Sequence, residues 1–484
     1  MSYIGIDLGT SFIKGAVLDP KTLTIEHVRR IPFPDPLPGH PPLHREFDPQ
    51  AVLAATRSLL TDLLHLADEP ALSGADRCEG IVMCSQMHGL VFTTAQGAPA
   101  SNLTSWLDQR TLEPHPSGRG SYFDVLAGRL TPDEIRQLGN QLRPGLPLGV
   151  LFWLAEQGQL PRQDLIPASL PDFVLGNLCA TIPTTESTNA AAHGALNMET
   201  LDWHHAVLGK LGLNGLRWPR LRKPGDIVGQ YKTGGRAIPC YTPVGDYQAA
   251  LTGALVRRGE LSLNISTGSQ ASVLLPHLAS GAFQTLPFFD SRFLATVSHI
   301  PAGRALGDLV ALFSELAVAQ GVKLSDPWSY IATAARRAGS TRMRVDLAFF
   351  NSSCGDHGAF TDVREEELTV GHIFSAAFQN MADNYYRSAQ RLVSGVTDEP
   401  LPWRNLVFSG GLVQKLDVLR ERIVDRFGVG YRVCPTTEDT LLGLLGLGLA
   451  FTGRTASVAE ATERIYAAYG GDNMLISNQE TPGA

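Results

Sequence analysis

Cysteine is scarce: six residues, Cys78, Cys84, Cys179, Cys240, Cys354 and Cys434, are scattered along the chain with no CxxC pair. That spacing argues against a paired-cysteine zinc site and against a secreted disulfide scaffold, and it suits a reducing compartment. Long apolar runs are lacking too. No uninterrupted stretch reaches the roughly 20 residues that span a bilayer, and Met1 leads straight into the strand-like Tyr3 to Asp7 without a basic and then an apolar segment. A cytoplasmic protein without membrane contact is expected. Nor are Lys and Arg clustered, and the formal charge is −7, so a general affinity for nucleic acid is excluded as an expectation. Small-molecule partners remain. Cys354, Asp356 and His357 can each ligate a metal, but no fourth ligand is evident, and the glycines of Ser353 to Gly358 explain that spacing as a turn.

What is present is enough chain for more than one core: 484 residues with 44% hydrophobic composition. Tyr3–Leu8, Phe12–Leu18 and Ile25–Ile31 alternate with turn signals and predict a three-strand meander. Asp48-Pro49 then offers a helix start, with Val52, Ala55, Leu59, Leu63 and Leu66 at helical spacing, and Gly80 to Cys84 reads as the next strand. The same grammar returns later. Leu261–Ile265 and Gln270–Leu275 predict a hairpin, Phe374–Leu392 a long helix, and Asn405–Phe408 a strand. The prediction is two similar α/β halves around a cleft, residues 1–243 and 244–476, joined through Pro239 to Pro243, with 477–484 as a loose tail.

Four segments carry chemistry. Asp7, Gly9, Thr10 and Ser11, with Lys14 beyond them, place an acid, a glycine and two hydroxyls in the first turn, where they suit a phosphate tail and a hydrated magnesium ion at Asp7. Ser266-Thr267-Gly268-Ser269 repeats that pattern in the second half. Gly410-Gly411 ends an apolar strand and offers a side-chain-free surface for a nucleoside. Gly245-Asp246 opens a helix of small residues, and Asp246 is the candidate base, facing both hydroxyl and metal. Taken one at a time, a hairpin turn or a helix cap explains each of them equally well.

Together, in this order and over nearly the whole length, they resemble the FGGY carbohydrate kinases. That resemblance implies an α/β fold of two ribonuclease H-like domains, of the actin, Hsp70 and hexokinase type, around a nucleotide cleft. It implies ATP and Mg2+, with Gly9, Thr10, Ser11, Lys14, Thr267, Gly268, Gly410, Gly411 and Lys415 toward the nucleotide and Asp7 and Asp246 toward the metal. Lys415 stands where many relatives have Asn. Gln86-Met87-His88-Gly89 is similar to a ketose-kinase segment, and Trp106-Leu107-Asp108-Gln109-Arg110 to a Trp-x-Asp-x-Arg motif. Gln86, Met87, His88, Trp106, Asp108, Arg110, Asn189 and Asp246 are therefore the expected sugar-binding residues, with a salt bridge from Arg110 to Asp108 weighed equally against direct sugar contact. Ser187 to Gly194 resembles sedoheptulokinases, which implies sedoheptulose as the acceptor, with xylulose as the alternative. An actin-like or Hsp70-like ATPase and a non-catalytic sugar sensor are the competing classes, and a homodimer is left open.

Overall fold

Buried residues run without a break from Ser2 to Leu8 and almost so from Ile13 to Leu18, as they must where a sheet is covered on both faces. The computed structural model describes residues 1–67, 78–161, 164–393 and 403–477. Strands β1 (Ser2–Leu8), β2 (Phe12–Asp19) and β3 (Thr24–Pro32) form the expected antiparallel meander. Helix α1 (Pro49–Ala67) buries Val52, Leu59, Leu60 and Leu63 against one face of it, and β4 (Cys78–Ser85) returns parallel to β1. After a long insertion that includes α2 (Ser187–Ala192), strands β5 (Ile227–Thr233), β6 (Arg236–Tyr241) and β7 (Val244–Gly245) complete the sheet. Its order is β5-β6-β4-β1-β2-β3, with β7 also paired to β4.

Pro239 to Tyr241 thus lie within a strand rather than in a connector. Ile238 and Cys240 alternate inward and carry the strand through Pro239. Helix α3 (Asp246–Gly253) begins directly after β7.

The second half repeats the plan. Strands β8 (Glu260–Ile265), β9 (Ser269–Leu275), β10 (Gln284–Pro287) and β11 (Phe293–Ile300) are followed by the long helix α4 (Val370–Val393). β12 (Asn405–Ser409) then pairs parallel with β8, and β13 (Gly430–Val433) with β12, giving the order β10-β11-β9-β8-β12-β13. Between these two strands run α5 (Gly411–Lys415) and α6 (Asp417–Phe427), the latter ended by Gly428 in the left-handed region. Of the expected tail, only Ser477 falls among the described residues.

One helix joins the halves. In α7 (Asp439–Phe451) nine residues from Leu441 to Leu449 are buried, and its glycines let it sit directly on backbone. A Cβ on Gly443 would stand 1.9 Å from the Ala249 carbonyl oxygen of α3, and one on Gly253 would stand 1.8 Å from that of Asp439. Gly448 lies under the Tyr3 ring of β1, and the Tyr3 hydroxyl is 2.7 Å from Thr452 Oγ1.

Candidate active site

Strand pairing brings the acids together. β1, β4 and β7 are parallel neighbours, with Cys84 in register with both Asp7 and Val244, so Asp7, Gln86 and Asp246 lie at the same, carboxyl-terminal, end of the sheet. This is where open α/β sheets bind ligands. Asp7 is buried; its Oδ2 accepts from Thr440 Oγ1 at 2.8 Å, while its Oδ1 is buried without a partner. Burial raises its carboxyl. Asp246 is pushed up to about 8, first by burial and then by the charge of Asp7, and Asp439, at the start of α7, is pushed up to about 6 by the same two causes. Asp439 was not legible as a site residue; its one signal was an acid opening a leucine-rich helix.

Three acids, two of them raised by the charge of Asp7, fit a divalent cation, and the orphaned Asp7 Oδ1 offers it a ligand. They also fix a sign. The native chain holds protons at Asp246 and Asp439 that the unfolded chain releases near pH 4, so the stability these two groups contribute is greatest below that value and is lost as pH rises to about 8. We expect the melting temperature to drop between pH 5 and pH 8.5, less steeply in Asp246→Asn and less steeply with Mg2+ present; thermal melts across that range check it.

Thr10, Ser11, Thr267 and Gly268 are exposed, so their donors are free of the core. Thr10 Oγ1 lies 3.2 Å from both Gln86 Oε1 and Trp106 Nε1, accepting from the indole and donating to the amide oxygen. Gly303 and Gly410 close on the second turn from two sides. Gly303 N donates to Ser266 O at 3.0 Å, and Gly410, at φ +92°, sits where a Cβ would meet the Ile265 carbonyl oxygen at 2.5 Å. Gly411 stays open, and its N–H donates to Ser266 Oγ at 3.3 Å. Lys415 is exposed at the end of α5. Lys14 faces Asp7 across the β1–β2 ladder and pairs with Glu438 at 3.4 Å.

A cavity of about 1120 Å³ opens beside Thr10, lined among others by Thr10, Gln86, Met87, His88, Trp106, Arg143, Asp246, Tyr247 and His299. Trp106 is 40% exposed and presents an open aromatic wall. His88 is held at φ +69°, with Nδ1 2.7 Å from Ala192 O and Nε2 against an Arg143 N–H. Both ring nitrogens are therefore engaged. Burial and the Arg143 charge keep this imidazole neutral, well below the usual histidine range.

The structure does not bring Asp108, Arg110 or Asn189 to the cavity lining. Asp108 is fully buried and accepts from Arg45 N and from Arg110 N, Nε and Nη2, so its lone pairs are used. Arg110 thus forms with Asp108, at 2.8 Å, the salt bridge that was weighed against sugar contact, and it also reaches Glu46 at 2.6 Å. Asn189 Nδ2 donates to Pro243 O at 2.8 Å, and its neighbour Thr188 accepts from Gly245 N at 2.9 Å. These two residues brace the turn before Asp246 from behind. Arg143 and His299 were missed: Arg143 stands in the apolar run from Leu142 to Leu148, where a lone charge was the available signal.

Solved structures share this fold. Xylulose kinase from Lactobacillus acidophilus superimposes with a TM-score of 0.80 at 17% identity, covering 98% of this chain and 92% of that one. Plasmodium falciparum glycerol kinase with ADP does so with a TM-score of 0.81 at 16% identity, covering 96% and 92%. The two-sheet architecture is the actin-like fold of these kinases. A mouse sedoheptulokinase is 23% identical over 477 residues, 88% of this chain and 92% of the relative. The family described as "FGGY family of carbohydrate kinases, N-terminal domain" matches residues 2–253, which include β7, Asp246 and α3. The chain belongs to the FGGY family of carbohydrate kinases.

Proposed function

We propose that this chain transfers the γ-phosphoryl group of ATP to the terminal hydroxyl of a ketose, sedoheptulose becoming sedoheptulose 7-phosphate, with Asp246 as the base. The observation that carries it is the position of Asp246: one residue shared by the carboxylate cluster with Asp7 and Asp439 and by the lining of the cavity with Gln86, Met87, His88 and Trp106. A base for phosphoryl transfer has to face both partners.

In this proposal the phosphates lie between Gly9-Thr10-Ser11 and Thr267-Gly268, and the nucleoside rests on Gly410-Gly411 near Lys415. The first domain holds the sugar and the second the nucleoside. Asp7 and Asp246, with Asp439, would hold Mg2+, which when bound supplies positive charge to the phosphate oxygens. Trp106 and Met87 wall the sugar while Gln86 orients it. Asp246 takes the hydroxyl proton as that oxygen attacks in line.

Sedoheptulose rests on the segment Ser187 to Gly194 and on the likeness to the mouse enzyme. Xylulose is the second choice, since Gln86 to Gly89 serves either ketose. An actin-like ATPase or a sugar sensor would leave the Trp106–His88 cavity without a reaction. The test is coupled ADP release with Mg-ATP across sedoheptulose, xylulose, ribulose and glycerol. Sedoheptulose is expected to give the highest kcat/KM; release that ignores the sugar would transfer the protein to the ATPase class, and no release to the sensor class.

A further inference from the structure

The cavity wall carries a charge that ketose phosphorylation leaves unused. Asp246 is the one acid among the described lining residues, against Arg143, Arg391, His88 and His299. Arg391 is spent on backbone: Nε and Nη2 donate to Ala282 O, and Nη1 to Ser353 O. Arg143 is not. Its Nη2 donates to His88 Nε2, and no carboxylate pairs with it among the described residues. Burial lowers its guanidinium to about 10, with no acid to offset that cost.

His88 explains how the guanidinium is aimed. Its Nδ1–H donates to Ala192 O, which fixes the tautomer and leaves Nε2 as the acceptor for Arg143. The imidazole is thus a neutral support for a cation, and the left-handed backbone at residue 88 is the strain that this placement retains. His299, at the end of β11 and also in the left-handed region, approaches from the second half of the molecule closely enough to feel the Arg143 charge. The hydroxyls of a neutral sugar can occupy the remaining N–H groups but cannot balance the charge. A carboxylate or phosphate does both, through two parallel hydrogen bonds.

We propose that Arg143, aimed by His88, is a subsite for an anionic group on the acceptor, so that this enzyme also phosphorylates polyhydroxy acids or sugar phosphates whose charge lies away from the reacting hydroxyl. It rests on the cavity being the transfer site argued above. The bond changes are those of the ketose reaction: the acceptor oxygen bonds to the γ-phosphorus, the bond from that phosphorus to ADP breaks, and the hydroxyl proton passes to Asp246. The anionic group takes no part in them.

Calorimetry on the full chain, without nucleotide and at constant ionic strength, compares gluconate with glucitol, an uncharged polyol of the same length, and fructose 1-phosphate with fructose. At least one charged member is expected to bind about tenfold or more tighter than its neutral counterpart, and the pair that shows this decides between carboxylate and phosphate. Arg143→Met should erase the ratio; Arg143→Lys, which keeps the charge without the fork, should retain part of it. Equal binding of charged and neutral members overturns the proposal. So does a ratio that survives Arg143→Met, or one that acetate and inorganic phosphate abolish by binding as tightly themselves. Should Arg143→Met fail to fold, Arg143→Gln and the wild-type ratio decide. ADP release on sedoheptulose keeps the two proposals apart. Turnover with no charge preference sinks only the anion subsite, whereas an Arg143-dependent preference without turnover on any acceptor leaves Arg143 as an anion site and sinks both the kinase assignment and the phosphorylation of charged acceptors.

Discussion

Asp246→Asn is expected to lower kcat by about 10²–10⁴-fold while raising the melting temperature. The amide has the volume of the acid it replaces and stays at the first position of α3, so the turn braced by Thr188 and Asn189 is preserved. What disappears is the proton acceptor, together with a negative charge that burial, Asp7 and Asp439 all disfavour. Activity and stability therefore move in opposite directions, which no partly unfolded variant reproduces. Coupled ADP release and a thermal melt on the same preparation check this. A kcat within about tenfold of wild type would place the base elsewhere.

The second large effect lies outside the cavity. Gly443→Ala is expected to destabilise the protein by about 3 kcal/mol, the upper end of ordinary overpacking, because the new methyl meets backbone that no rotamer change can move. Its Cβ would stand 1.9 Å from the Ala249 oxygen and 2.7 Å from the carbon of that carbonyl. Helices α3 and α7 must then separate, and since Asp246 opens one and Asp439 the other, kcat should fall as well. Gly446→Ala is the control: its nearest contacts are side-chain carbons at 3.4 and 3.5 Å, so the urea midpoint should barely change. Equal midpoints for the two variants would show that the crossing has slack.

Much of this architecture was legible because it is written in local patterns. The meander, α1, the hairpin of β8 and β9, the long α4 and the strand before Gly410 all follow from apolar spacing and turn residues in continuous stretches. The turns were legible for the same reason, since glycine, hydroxyl and acid stand side by side. Residues whose role is set by a distant partner were not. Asp439 matters because α7 brings it to Asp7 and Asp246, and Arg143 because its segment reaches His88; neither neighbour is visible along the chain. The converse holds for Asp108. Its motif looks like a sugar contact, but four donors from Arg45 and Arg110 consume it. Pro239 looks like a linker, and only the inward alternation of Ile238 and Cys240 keeps it in a strand.

The seat of α7 on β1 also sets an order for biosynthesis. The face of β1 at Tyr3 is covered by the helix that carries Gly448, so during vectorial synthesis this strand waits for Asp439–Phe451, which is made long after it. Until the ribosome has released that segment, the apolar surface of Tyr3, Leu18 and Val82 lacks part of its native cover, and the acid trio is missing Asp439. A nascent chain is then both sticky and short of one of its three clustered acids. The finished cleft is therefore a late event of synthesis.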